Sequence, residues 1–120
     1  MERPGSEPAP SAAEVEQRLR EPLAALGLAL GSREAELVAA YLALLLPWNA
    51  RVNLTGARSA REILDRHLAD TFALVPHLPA GAHRLVDVGA GAGFLGVGVA
   101  LSAWLLVQFR RSRDEARATA

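Results

Sequence analysis

The stretch Leu85-Val-Asp-Val-Gly-Ala-Gly-Ala-Gly-Phe-Leu-Gly96 constrains the fold of this chain more than any other. It opens with a short apolar run suited to a buried strand, sets a carboxylate at Asp87, and continues with Gly89, Gly91 and Gly93 at alternate positions. Glycine adopts positive φ and leaves no side chain in the way, so a strand ending in such a turn brings backbone N–H groups close to a ligand. The expected architecture is therefore α/β, with a strand over residues 84–88, this turn, and a helix resuming near Gly93 or Phe94.

Three chemistries fit those letters. Gly91-Ala-Gly-Phe-Leu-Gly96 matches the glycine pattern of dinucleotide sites, which also need an acidic residue about 20 positions on at the end of a second strand. Counting forward reaches Asp114 and Glu115, which stand in a charged tail without a strand before them. Residues 88–109 carry no charge and are followed by Arg110, Arg111 and Arg113, the flanking expected of a membrane span. Gln108, Asp87 and the density of glycine speak against that span, and a buried strand, turn and core helix explain the same hydropathy. The third chemistry is a site for S-adenosylmethionine, with Asp87 near the cofactor's ammonium and the turn of Gly89, Gly91 and Gly93 approaching closely.

Upstream of the turn the chain reads as helices. Residues 1–12 hold several prolines and a glycine and are expected to be a loose lead. Ser11 and Glu14 form a capping-box pattern, followed by Val15, Leu19, Leu23 and Leu26 at helical spacing. Pro22 predicts a bend or break in this helix, and Gly27 its stop. Ser32 is the expected cap of a second helix, whose stripe is Leu37, Val38, Tyr41, Leu42 and Leu45. Pro47 predicts its end near Leu46, leaving Trp48 as a packed aromatic beyond the break. Asn49, Asn53 and Thr55 then read as residues that satisfy local turns. Ser59 and Glu62 repeat the capping pattern and start a third helix, with Ile63, Leu64, His67, Leu68, Thr71 and Phe72 inward. His67 and Asp70, three apart, form a candidate polar pair without a nucleophile beside them.

Composition removes several alternatives. Thirteen acidic residues balance thirteen basic ones, so no global field draws the chain to nucleic acid. All basic residues are arginine, and Arg51, Arg58, Arg61 and Arg66 gather locally, diluted by Glu62, Asp65 and Asp70. A solvated, ion-paired face and an RNA-phosphate surface both fit that cluster. The absence of cysteine excludes disulfides, thiolate metal sites and cysteine nucleophiles. His67, His77 and His83 are not spaced as ligands, so no metal is expected. The N-terminus lacks the apolar stretch of a secretory signal, which makes the cytoplasm the expected location.

Trp48-Asn49, then Asn53-Leu54-Thr55, then His67 with Asp70-Thr71, then Asp87 to Phe94 stand in a fixed order across roughly residues 13–101. In that order and separation the chain resembles the N-terminal part of the bacterial guanine-N7 methyltransferases of small-subunit ribosomal RNA, the glucose-inhibited division protein B family. The resemblance implies helices packed on a Rossmann-like methyltransferase sheet, S-adenosylmethionine as cofactor, and small-subunit (16S) ribosomal RNA as partner. It implies cofactor contacts at Gly89 and Phe94, with Asp87, Gly91 and Gly93 shaping the pocket. RNA contacts would fall to Arg51, Asn53, Arg58, Arg66 and His67, and no catalytic residue is implied. The family continues after its aromatic residue with Pro-Gly-Ile-Pro, whereas this chain has Leu95-Gly-Val-Gly98. Residues 102–120 do not resemble the family's second strand, so the sheet is expected to be truncated. The expected organisation is a lead over 1–12, a helical region over 13–79, the strand, turn and helix over 80–106, and a frayed charged tail over 107–120. An inactive fragment or protein-interaction module, and a small single-span membrane protein, are the alternative readings.

Overall fold

Three helical rods carry the structure, a computed structural model that describes residues 7–79, 84–94, 96, 97, 115 and 117–119. The first rod, α1 (Ala12–Ala25), begins with the expected capping box. Ser11 Oγ accepts the Glu14 N–H at 3.2 Å, and the Glu14 carboxylate accepts the Ser11 N–H at 3.0 Å. The helix passes through Pro22 without breaking and ends three residues later. Gly27, at φ 72°, then closes it: its N–H donates to Ala24 O and the Leu28 N–H to Leu23 O, leaving few orphan carbonyls. Leu23 and Leu28 are both buried, so the stop is fastened by packing as well.

The second rod, α2 (Ser32–Val52), differs from the sequence expectation at both ends. Gly31 rather than Ser32 is the N-cap, and Ser32 is the first helical residue. Pro47 does not end the helix, which continues to Val52 and closes on Asn53 in the left-handed region at φ 51°. Proline removes one N–H, and the carbonyl that loses its partner belongs to exposed Ala43, where water can serve. Leu42, Leu45 and Leu46 before the proline are buried, and Asn49 after it is tied to the following loop, so both flanks keep helical phase. The consequence for Trp48 is a second correction. It is 57% exposed on the helix surface, with the Arg51 guanidinium 5.9 Å from its ring centre.

The third rod is composite: α3 (Ala60–Glu62), a π-helical segment (Ile63–Leu68), α4 (Ala69–Leu74) and a closing 3-10 turn (Val75–His77). Ser59 caps it by accepting the Glu62 N–H at 3.1 Å, but the Glu62 carboxylate reaches the N–H of Arg58 at 2.9 Å, outside the usual box. Another N–H at this start, that of buried Ala60, donates to the Glu7 carboxylate at 3.0 Å, so the chain before α1 runs against the third rod.

α1 packs against both other rods and its Val15, Leu19 and Leu23 are fully buried. Around them lie Ala35, Val38 and Leu42 of α2, and Ile63, Leu64, Leu68 and Phe72 of the third rod. This apolar cluster is the source of the fold's stability. At its border Asp65 pairs with Arg18 at 3.1 Å and Arg61 at 3.5 Å, surface contacts of at most about 1 kcal/mol each.

Among the described residues there is no strand, so the one expected over 84–88 is not formed. A strand is defined by a ladder with a neighbour, and residues 84–87 run without one. Val86 and Val88 are 85% and 90% exposed. Helix resumes at Phe94, Gly96 and Val97, with the Val97 N–H donating to Gly93 O at 3.0 Å. The rest of the expected helix and most of the proposed membrane stretch lie outside the described residues, as do His83, Asp114 and most of the tail. Among the described residues no helix is long and apolar enough to cross a membrane.

Candidate functional site

The glycine turn is held on the helical body at three points. Gly89, Gly91 and Gly93 take φ of 72°, 54° and 79°, a region closed to most side chains, which is why the sequence alternates glycine with alanine here. Gly91 lies against the loop after α2: a Cβ built on it would stand 3.5 Å from Leu54 O. The Tyr41 hydroxyl of α2 donates to Ala92 O, just beyond. Phe94 enters between two rings, stacked on His67 with centres 5.2 Å apart and planes 15° apart, and edge-on to Tyr41 at 6.2 Å and 80°. Inside the turn, the Gly93 N–H donates to Ala90 O at 2.9 Å.

The loop that meets Gly91 is itself built by Asn49. Its Nδ2 donates to Ala57 O at 3.1 Å, while its Oδ1 accepts the Thr55 N–H at 2.9 Å and the Thr55 hydroxyl at 3.1 Å. The Thr55 Oγ1 in turn accepts the Ala57 N–H at 2.9 Å. Asn49 and Thr55 thus satisfy local turns, as the sequence suggests, and Asn53 serves as the left-handed end of α2.

The candidate residues fall into separate groups. Asp87 is half-buried beside the turn, and Gly89 and Gly93 have nothing within 4 Å of where a Cβ would be, so their backbone is bare on that side. Arg51, Asn53, Arg58 and Arg66 are exposed. Arg66 pairs with Glu62 at 3.5 Å, while Arg51 and Arg58 have no carboxylate partner among the described residues. His67 is brought to Phe94 rather than to Asp70; no hydrogen bond joins His67 and Asp70, and Asp70 is exposed. The π-helical segment accounts for this, because a widened turn changes the phase on which a three-residue pair depends. Among the described residues no three metal-ligating side chains cluster.

Tyr41 is the residue that sequence reasoning missed. It was legible only as part of an apolar stripe, yet a lone hydroxyl in an aliphatic row must find a partner when half-buried, and that was the available signal.

A sequence profile of the family described as rRNA small subunit methyltransferase G matches residues 34–108, more than half of the 120 residues. The chain belongs to this family. The matched range includes Tyr41, Asn49, His67 and the whole glycine turn. The ribosomal RNA small subunit methyltransferase G of Chromobacterium violaceum is 44% identical over 84 residues, covering 70% of this chain and 40% of that protein. That of Pseudomonas paraeruginosa is 46% identical over 76 residues, 63% of this chain and 35% of its own length. That of Burkholderia pseudomallei is 40% identical over 108 residues, 75% and 47% of the two chains. The chain spans about two fifths of the length of these curated relatives. No solved structure matches it.

Burial pushes the Tyr41 hydroxyl above its ordinary pKa, which gives its docking a measurable pH dependence. The folded chain holds the phenolic proton more tightly than the unfolded chain, so the contribution is complete below about pH 10 and is lost as pH rises through the folded value. Tyr41 is the sole tyrosine, and tyrosinate absorbance in the near ultraviolet reports it alone. The expected midpoint lies above that of free tyrosine, and a midpoint at or below it would contradict the burial of Tyr41 in the folded chain.

Proposed function

We propose that this chain carries the front part of an S-adenosylmethionine-dependent methyltransferase acting on N7 of a guanine in small-subunit ribosomal RNA. In this reading residues 13–79 are a helical platform and residues 80–106 open the Rossmann-like domain, with 84–88 becoming a strand when its sheet neighbours are present. The observation that carries the reading is the glycine turn with three alternating positive-φ residues, fixed to the helices within the stretch that matches the family.

The residues present suit the amino-acid end of the cofactor. Asp87 offers a carboxylate for its ammonium, the bare backbone at Gly89 and Gly93 allows close approach, Gly91 fixes the turn on Leu54, and Phe94 supplies an apolar face. When bound, the cofactor supplies an activated methyl group for in-line transfer. N7 of guanine has a lone pair and no proton to lose, so positioning and exclusion of water are what this chain's residues contribute, and none is assigned an acid or base role. Arg51, Asn53, Arg58 and Arg66 would face phosphates, with Arg51 and Arg58, which have no carboxylate partner among the described residues, the freest to do so. His67, already engaged by Phe94, would serve RNA only from its remaining edge. The cytoplasm, where ribosomal RNA is made, is the implied location.

A nuclear magnetic resonance titration of the 120-residue chain with S-adenosylmethionine tests this reading. Amide shifts at Asp87, Gly89, Gly91, Gly93 and Phe94 are expected, with affinity weaker than about micromolar because an unassembled site must be ordered on binding. No methyl transfer to ribosomal RNA by the chain alone is expected. Absence of shifts at those residues, or shifts centred elsewhere, would overturn the assignment of the pocket.

A further inference from the structure

We propose that Tyr41 and His67 are positioning residues that clamp the glycine turn into its cofactor-receiving shape. The purpose of the clamp rests on the methyltransferase reading above; its existence does not. The turn has little packing of its own, since Gly89 and Gly93 would meet nothing even with side chains. A run of glycines with bare backbone samples many conformations, and something outside it must select one. Ala92 and Phe94 pack against the hydrophobic core, and the specific side-chain contacts to them among the described residues come from Tyr41, by its hydroxyl on Ala92 O and its ring on Phe94, and His67, by stacking on Phe94. These contacts fall on either side of Gly93, whose positive φ turns the chain from loop into helix.

Each clamp residue is itself fixed from behind. Tyr41 stands on α2 between buried Val38 and Leu42. His67 lies in the π-helical segment with Leu64 and Leu68 buried around it, and the Thr71 hydroxyl donates to its carbonyl at 2.8 Å. That extra hydrogen bond holds a widened turn, where the backbone ladder is weakest, and so holds the imidazole over Phe94. A histidine on the inner side of a helix is thereby neither a catalytic base nor a core filler but one wall of a ring sandwich.

Amide hydrogen exchange of the full chain, read residue by residue, tests the clamp without cofactor. The Gly93 N–H, bonded to Ala90 O, and the Val97 N–H, bonded to Gly93 O, report the turn, and the Leu28 N–H at the end of α1 reports the helical body. His67→Ala is expected to speed exchange at Gly93 and Val97 by about fivefold, the scale of one aromatic contact, with Leu28 unchanged. His67→Phe, which keeps a flat ring, should restore protection, and Tyr41→Phe should give a smaller acceleration confined to the same amides. Unchanged exchange at Gly93 and Val97 in His67→Ala, equal acceleration at Leu28, or failure of His67→Phe to restore protection would overturn the clamp. If exchange behaves as expected while S-adenosylmethionine causes no shift in the turn of the unmodified chain, the clamp stands and the cofactor reading falls. If the cofactor shifts the turn equally in His67→Ala, the positioning role falls and the cofactor reading stands.

Discussion

Phe72→Ala is expected to unfold the chain or bring it to the edge of unfolding. Phe72, on the third rod, is the largest fully buried side chain and lies in the cluster with Leu19 and Leu23 of α1 and Leu64 and Leu68 of its own rod. Removing a buried phenylalanine costs about 3–5 kcal/mol, from lost transfer energy and the cavity left behind. A domain's whole stability is about 5–15 kcal/mol, and a small helical body has little to spare. Urea unfolding followed by circular dichroism should show a much lower midpoint or no native baseline. Leu74→Ala, two residues along but 39% exposed, should stay within about 0.5 kcal/mol of the parent. Equal midpoints for Phe72→Ala and the parent would mean that the third rod is not packed as described.

The other large effect is expected at Asn49. Its amide makes three hydrogen bonds that join the last turn of α2 to Thr55 and Ala57. Asn49→Ala leaves the Ala57 carbonyl and the Thr55 N–H without their partners in a half-buried place, a loss of about 2–3 kcal/mol. Asn49→Asp keeps the acceptor for Thr55 but turns an oxygen towards the Ala57 carbonyl, so it should not rescue stability. Because Leu54 O lies against Gly91, the same variants should also broaden the resonances of Gly91 in the distant turn. A stable Asn49→Ala with an unchanged Gly91 signal would show that loop and turn are independent.

How much of this was legible in the sequence follows from the range of each interaction. The capping box at Ser11, the Gly27 stop and most of the apolar stripes of the three rods were readable because their partners lie within one or two helical turns, whereas Leu37, expected in the stripe of α2, is 51% exposed. Family membership was readable too, from motifs kept in order along the chain. What failed were local rules overruled from elsewhere. Pro47 carries a strong preference against helix, but the buried leucines before it and the Asn49 bonds after it outweigh one missing donor, and Trp48 follows the helix outward. A strand over 84–88 was expected from composition, but a strand is a relation between segments, and no described segment pairs with it. The sequence named His67 as a polar partner of Asp70 because three-residue spacing favours that pair in a regular helix. A π-helical segment has no simple sequence signature, and it redirected the ring to Phe94. Gly89, Gly91, Gly93 and Phe94 were found as a group, while Tyr41, which holds them, was not.

The bare segment at Leu85, Val86 and Val88 has a practical meaning for anyone handling the chain. It combines apolar, strand-prone side chains with a backbone that pairs with no strand among the described residues, on a polypeptide whose charges cancel near neutral pH. Among the described residues, Val86 and Val88 are the most exposed large apolar side chains, so self-association is expected to start there. Moving the buffer away from the isoelectric region, or placing a charge at outward-facing Val88, is expected to reduce that self-association.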